Sequence, residues 1–113
     1  MKLTTKIALF SLAVPVAACV ANAAPAEENW DNHCSSCHGS DGRGQTKQGK
    51  KLKLRDYTDA KVQSEMTDED MLRAVLDGVK DKASGKERMK PYKEELSEEE
   101  AKELVAYIRK FKA

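Results

Sequence analysis

Two cysteines and a histidine form the group of residues in this chain with the clearest chemistry, in the run Cys34-Ser35-Ser36-Cys37-His38. A C-x-x-C-H run is the attachment site of a c-type haem. The two thiols lie on one turn of chain and can each add to a vinyl group of a single porphyrin. The histidine that follows can bind the iron through a ring nitrogen. The run therefore predicts one covalent haem c, with its iron bound by His38.

Other chemistries of a C-x-x-C pair fit this sequence less well. A thioredoxin-like site expects a βαβ pattern around the pair, and no strand-type runs are found. A zinc site needs a second ligand pair, but the remaining cysteine and histidine are Cys19 and His33. A structural disulfide between Cys34 and Cys37 would leave His38 without a role. A haem-free thiol–disulfide protein stays as an alternative.

The second axial position of the iron decides between electron transfer and ligand binding. His33 adjoins Cys34 on the attachment side and cannot reach the opposite face, so we interpret it as a surface histidine. Met71 falls on the apolar stripe of a predicted helix and is interpreted as core. Met89 lies in an irregular stretch, where a loop can deliver its side chain to the ring centre, and is the predicted ligand. Met66 and an open sixth position are the alternatives.

The first 23 residues have the pattern of an export leader. Two lysines precede an apolar run, and Ala21-Asn22-Ala23 provides an A-x-A cleavage signal. The run is too short to span a bilayer well. We expect a signal peptide over residues 1–23 and a periplasmic or otherwise exported protein. The alternative is a lipoprotein leader, because Val16-Ala17-Ala18-Cys19 resembles a lipobox; cleavage before Cys19 would give a lipid-anchored product.

Residues 24–113 are predicted to form a single domain, which we expect to be a monomer. Lys2 and Lys6 are the charged residues of the leader, so the 20 basic and 19 acidic side chains of the full sequence become 18 and 19. This balance lacks the excess of positive charge that is typical of proteins that bind nucleic acid. No acid–base or nucleophilic constellation is found, so no enzymatic activity is predicted. Such a short chain buries a modest core, and a haem would supply its apolar centre.

Three helices are predicted, with loops elsewhere. The first runs from about Pro25 to Cys34, and its Trp30 is expected to pack on the last helix. The second begins at Thr67, in a Thr-x-x-Asp cap, and ends at Gly78. The third begins at Ser97 in a capping box and continues to about Phe111 at helical apolar spacing. The long segment between His38 and Thr67 is expected to wrap around the haem.

The sequence resembles the class I c-type cytochromes, of the small bacterial monohaem kind, over residues 26–112. Besides C-x-x-C-H-G, the resemblance is carried by Gly42-Arg43-Gly44, Asp56-Tyr57-Thr58-Asp59, Met89-x-Pro91-Tyr92 and Leu104-Val105-Ala106-Tyr107-Ile108. It implies a small all-α cytochrome c fold in which the first and last helices cross and the haem stands edge-on in a crevice. It also implies His38 and Met89 as axial ligands.

The sequence departs from this family in two places. No proline lies between His38 and Met89, although the family often uses a proline carbonyl in that region to accept the proximal histidine's Nδ1–H. Another backbone carbonyl is therefore expected to orient His38. The usual Met-Pro dipeptide is also lengthened here to Met89-Lys90-Pro91.

The predicted function is that of a one-electron carrier whose haem iron cycles between ferrous and ferric. A ligand-binding or peroxide-active haem protein with an open sixth site is the alternative from another class. Two basic groups are expected to ring the haem edge and to dock acidic surfaces of redox protein partners. The first group is Arg43, Lys47, Lys50, Lys51, Lys53 and Arg55, and the second is Lys80, Lys82, Lys86, Lys90 and Lys93.

Overall fold

The computed structural model describes residues 8–14 and 24–112. Residues 8–14 are exposed and form neither helix nor strand, and the two alternative leader cleavage sites lie outside the described residues. No helix in these ranges is long and apolar enough to cross a membrane. The elements are α1 (Ala26–His33), α2 (Ser35–His38), α3 (Lys47–Leu52), α4 (Ala60–Glu65), α5 (Asp68–Asp77), β1 (Val79–Lys80), β2 (Glu87–Met89) and α6 (Glu98–Ile108).

Helices α1 and α6 pack against each other, and Trp30 lies at their contact. Its side chain is 1% exposed, and its ring centroid is 5.8 Å from that of Tyr107 and 5.0 Å from that of Phe111. Asn29 Nδ2 also donates to Glu100 Oε2 across the two helices at 2.9 Å. The expected packing of Trp30 on the last helix and the all-α architecture are confirmed.

The two longest helices begin at the residues that their caps predict. Thr67 accepts a hydrogen bond from the backbone N–H of Asp70 at 3.1 Å, which starts α5. Ser97 and Glu100 exchange side-chain and backbone hydrogen bonds in a complete capping box at the start of α6. These caps satisfy N–H groups that have no partner within the helix. The predicted starts of both helices are therefore confirmed.

The prediction of loops elsewhere is wrong in four places, the first of which is the short helix α2 (Ser35–His38). Residues 47–52 and 60–65 form α3 and α4, and residues 79–80 and 87–89 form an antiparallel two-stranded sheet. Helix α3 is capped by Thr46 and α4 by Asp59. Each of these helices is six residues long and rich in polar side chains, so neither carries the repeated apolar spacing on which helix prediction depends. The strands are too short to show alternation.

The buried apolar core is formed by side chains of α1, α5 and α6 and of the residues beside them. It comprises Trp30, Cys34, Met71, Val75, Leu96, Ala101, Leu104, Val105 and Ile108. Met71 lies in this core, as predicted. Several members of this core, including Trp30, Met71 and Leu104, also line a cavity that adjoins Cys34 and His38.

Candidate haem-binding site

The attachment turn is a single helical turn fixed by its own backbone. Cys34 lies between α1 and α2, and its carbonyl accepts hydrogen bonds from the N–H groups of Cys37 at 3.2 Å and His38 at 2.9 Å. The turn therefore holds both thiols and the imidazole on one short segment. Both cysteines are free thiols; Cys34 is buried and Cys37 half-buried. Burial, followed by the nearby Cys37, raises the pKa of the Cys34 thiol to about 11.

The imidazole of His38 is enclosed by aromatic rings. Tyr57 stacks on it with 5.2 Å between centroids and an interplanar angle of 23°, and the Trp30 ring lies 5.7 Å away. Burial lowers the pKa of His38 below its ordinary value. A neutral imidazole is the form that binds a metal, so the surroundings of His38 favour the state that a ligand needs.

Nδ1 of His38 is buried and has no hydrogen-bond partner among the described residues. The backbone carbonyl that was predicted to accept this N–H is not found there. A buried polar atom without a partner is unfavourable, and metal-bound histidines usually donate their second N–H. In this structure the ring is held by its contacts with Tyr57 and Trp30 instead.

Two cavities adjoin His38, and both are also lined by Met89. The first has a volume of about 270 Å³ and is lined largely by core side chains, including Trp30 and Leu104. The second, of about 300 Å³, has a mixed lining that includes Leu52, Leu54, Val79, Lys53, Arg88 and Lys90. Both cavities also share Arg55, Tyr57 and Ala74. Because the two cavities share these residues, we treat them as two parts of one crevice, and His38 and Met89 line both parts.

The three methionines beyond residue 23 differ in their position relative to this crevice. Met66 and Met71 line the first cavity, whereas Met89 lines both. Met89 is the last residue of β2 and pairs with Val79. A Cβ added to Gly78 would stand 2.5 Å from the Met89 carbonyl oxygen, so a glycine is needed where α5 ends against this segment.

The donor set and the lining fit a haem. The crevice offers apolar walls, a neutral imidazole with an unpartnered buried nitrogen, a thioether, and two thiols on the adjoining turn. These are the groups that attach and ligate a c-type haem. The structure thus brings Cys34, Cys37, His38 and Met89, all selected from the sequence, to a single site.

Several residues that support the site were not selected from the sequence. Thr46 Oγ1 donates to the carbonyl of Cys37 at 2.6 Å, and Trp30 Nε1 donates to the carbonyl of Gly39 at 3.0 Å. A Cβ on Gly49 would lie 2.3 Å from the Gly44 carbonyl oxygen and 2.6 Å from that of Cys37. The isolated Gly49 between polar residues was a signal of close backbone approach, but nothing in the sequence indicated its neighbours.

Two other expectations change with the structure. His33 is half-buried rather than a simple surface residue, because its ring meets that of Tyr92 edge-on with 5.6 Å between centroids. The first basic group is divided: Lys53 and Arg55 line the second cavity, whereas Arg43 lines a separate third cavity near Arg109. Arg55 also forms a salt bridge with Glu65 at the wall of the first cavity.

One protein-family match covers all the residues of the site described above. Residues 21–108 match the family described as cytochrome c oxidase, cbb3-type, subunit III. The matched range includes the attachment turn, both cavities and Met89. No curated protein matched the sequence.

Two solved structures are similar over nearly all of the described chain. One is the KustC0563 c-type cytochrome, with a TM-score of 0.69 and 34% identity over 80% of this chain and 100% of that chain. The other is a tyrosine-to-phenylalanine mutant of Kustc0563, with a TM-score of 0.67 and 35% identity over 79% of this chain and 100% of that chain. Both relatives are therefore matched along their whole length.

Proposed function

This chain belongs to the cbb3-type cytochrome c family, within the small class I c-type cytochromes, and we propose from that premise that it is a one-electron carrier. One haem c is attached through Cys34 and Cys37 and ligated by His38 and Met89. The observation that carries this proposal is that His38 and Met89 line the same two adjoining cavities.

The residues of the site favour a haem of high reduction potential. When bound, the haem supplies an iron that accepts and returns one electron. His38 and Met89 both offer neutral donors, and Met/His ligation raises the potential. The buried walls of the first cavity act in the same direction, because they disfavour added positive charge. A shift of ~200 mV corresponds to ~5 kcal/mol for one electron, whereas an exposed ion pair contributes about 0–1 kcal/mol. Ligation therefore sets the potential, and surface charge sets the choice of partner.

Substitution of the predicted ligand tests the proposal directly. The oxidised wild-type protein should show the weak long-wavelength sulfur-to-iron charge-transfer band of a methionine ligand. Met89→Ala should abolish this band and lower the potential. Met66→Ala is the matched control, because Met66 lines only the first cavity, and the variant should retain the band. Retention of the band in Met89→Ala and its loss in Met66→Ala would reassign the ligand.

The two alternative functions, a ligand-binding haem protein and a haem-free thiol–disulfide protein, predict different results from those of an electron carrier. Rapid binding of carbon monoxide by the reduced, untreated protein would indicate an open sixth position and a ligand-binding role. A mature protein without the fixed mass increment of a covalent haem, with both thiols open to alkylation, would indicate a thiol–disulfide protein. The carrier proposal requires the mass increment and slow carbon monoxide binding.

Acidic surfaces of redox proteins are the proposed docking partners. Lys53, Arg55, Arg88 and Lys90 line the second cavity, so positive charge surrounds one approach to the site. Complementary charge speeds association and is screened by salt. Electron exchange with an acidic partner should slow as ionic strength rises, and Lys90→Gln should slow it at low salt. A rate that is independent of salt would remove this part of the proposal.

The proposed location is outside the cytoplasm, in the periplasm or an equivalent compartment. The support is the leader pattern of residues 1–23 together with the haem motif. Cleavage after Ala23 gives a free monomer, and cleavage before Cys19 gives a lipid-anchored one. The mass of the mature N-terminal peptide, with or without a lipid on Cys19, distinguishes these products.

A further inference from the structure

We propose that Tyr92 is a positioning residue that holds the segment carrying Met89 against the segment that attaches the haem. This inference rests on the proposed ligation by His38 and Met89 and deepens it. It concerns how firmly the sixth position stays closed, and therefore what keeps this protein an electron carrier rather than a binder of small ligands. Residues 89–92 are called the ligand loop below, and residues 33–38 the attachment segment.

A single side-chain hydrogen bond joins these two segments. Tyr92 Oη donates to the carbonyl oxygen of His33 at 2.8 Å, across 59 positions of sequence. Among the hydrogen bonds of the described residues, no other joins the ligand loop to the attachment segment. His33 directly precedes Cys34, so the acceptor lies one residue from the first attachment thiol. The edge-on contact between the Tyr92 and His33 rings adds packing at the same place.

The other attachments of the ligand loop lead to a different part of the fold, and one of them is the pairing of Met89 with Val79 of β1. The N–H groups of Tyr92 and Lys93 donate to the carbonyls of Val75 and Leu76 in the last turn of α5, at 3.0 and 3.3 Å. These bonds fix the loop to α5, but they do not determine its distance from His38. Among the hydrogen bonds of the described residues, the one donated by the Tyr92 hydroxyl is the bond that ties the loop directly to the attachment segment.

In this proposal, displacement of Met89 by an external ligand moves the ligand loop away from the attachment segment. Such a movement carries Tyr92, three residues away, and must break or stretch its bond to His33. Tyr92→Phe removes this bond and keeps the ring, its contact with His33, and the position of Lys90 Nζ 4.8 Å from the ring centroid. The variant therefore isolates the hydroxyl group.

Tyr107→Phe is the matched control. The Tyr107 ring packs on Trp30 and Phe111, and its hydroxyl makes no hydrogen bond among the described residues. The same atom is therefore deleted in both variants, near the same core. A general effect of tyrosine-to-phenylalanine substitution would appear in both proteins, whereas an effect on the ligand loop would appear only in Tyr92→Phe.

The rate at which imidazole displaces methionine from the oxidised holoprotein is the primary measurement. One net hydrogen bond predicts displacement about 2- to 12-fold faster in Tyr92→Phe. Tyr107→Phe should match wild type. On heating, the sulfur-to-iron band of Tyr92→Phe should disappear at a lower temperature than in wild type, while the loss of helical circular dichroism moves much less. A merely structural role would lower both temperatures together.

The possible failures are distinguishable. If wild-type protein lacks the sulfur-to-iron band, the methionine ligation is wrong and the role of Tyr92 falls with it. If the band is present and Tyr92→Phe exchanges no faster than Tyr107→Phe, the carrier function stands and the positioning role is refuted. A parallel fall of the band and the helical signal on heating would also refute it.

Discussion

Arg109 at the end of α6 holds together the chain segments behind the haem-binding crevice. Its guanidinium donates to the backbone carbonyls of Gln63 and Met66, to Gln63 Oε1 at 3.0 Å, and to Asp68 Oδ1 at 2.9 Å. These acceptors lie in α4, in the connection that follows it and at the start of α5, and Met66 also lines the first cavity. The side chain is 31% exposed, so its bonds are only partly screened by water.

The expected effect of removing this side chain follows from its partners. Hydrogen bonds to charged groups contribute about 1.5–3 kcal/mol each, and loss of the donor leaves part-buried carbonyls unsatisfied. Partial exposure and the weak contribution of the ion pair to Asp68 reduce the total. Arg109→Met should therefore lower the free energy of unfolding by about 2–4 kcal/mol. Arg109→Lys keeps the charge but not the planar fork, and should recover less than half of this loss.

Chemical unfolding followed by far-ultraviolet circular dichroism measures this difference in the holoprotein. Arg73→Met is the control, because Arg73 is 64% exposed and pairs with Glu69 one turn away on α5. That pair should contribute about 0.3–0.5 kcal/mol. Equal losses in Arg109→Met and Arg73→Met, or full recovery in Arg109→Lys, would refute the argument from geometry and burial.

Two further predictions concern a backbone contact and a titrating group. Helix propensity alone would make Gly49→Ala stabilising by up to about 1 kcal/mol. The added Cβ would clash with the carbonyls of Gly44 and Cys37, so the substitution should instead destabilise the protein and reduce the yield of haem-attached protein. Lys50→Ala, at an exposed position, should leave that yield unchanged, and normal yield and stability in Gly49→Ala would contradict this prediction. Hydrogen bonds, the strongest of them from Asn29, lower the pKa of the Glu100 carboxyl in the folded protein. The ionised carboxylate therefore stabilises the fold above the ordinary glutamate pKa of 4.5, and this contribution is lost as the pH falls from 4.5 toward the lower pKa of the folded state. Glu100→Gln should therefore reduce stability at pH 7 and flatten its decline in acid, as measured by unfolding across pH, and an unchanged acid limb would show that Glu100 is not a source of the decline.

The best-predicted features of the fold are those whose cause lies within a few neighbouring residues. The spacing of Cys34, Cys37 and His38 places them on one turn whatever the rest of the chain does. The caps at Thr67 and Ser97 act within three residues, and the helices α5 and α6 start where these caps indicate. Helices α3 and α4 were not predicted because each has only six residues, most of them polar, which give too few apolar positions to show a period.

The sequence by itself determined the attachment turn, the two capped helices and a short list of candidate ligands, because each depends on local spacing or residue type. Only the tertiary structure decided that Met89 lines both cavities with His38 while Met66 lines one. It also decided that Tyr57 rather than a carbonyl contacts the His38 ring, and that Tyr92 joins the ligand loop to His33. These contacts join residues between 19 and 59 positions apart, and such pairs meet only when the whole chain has packed.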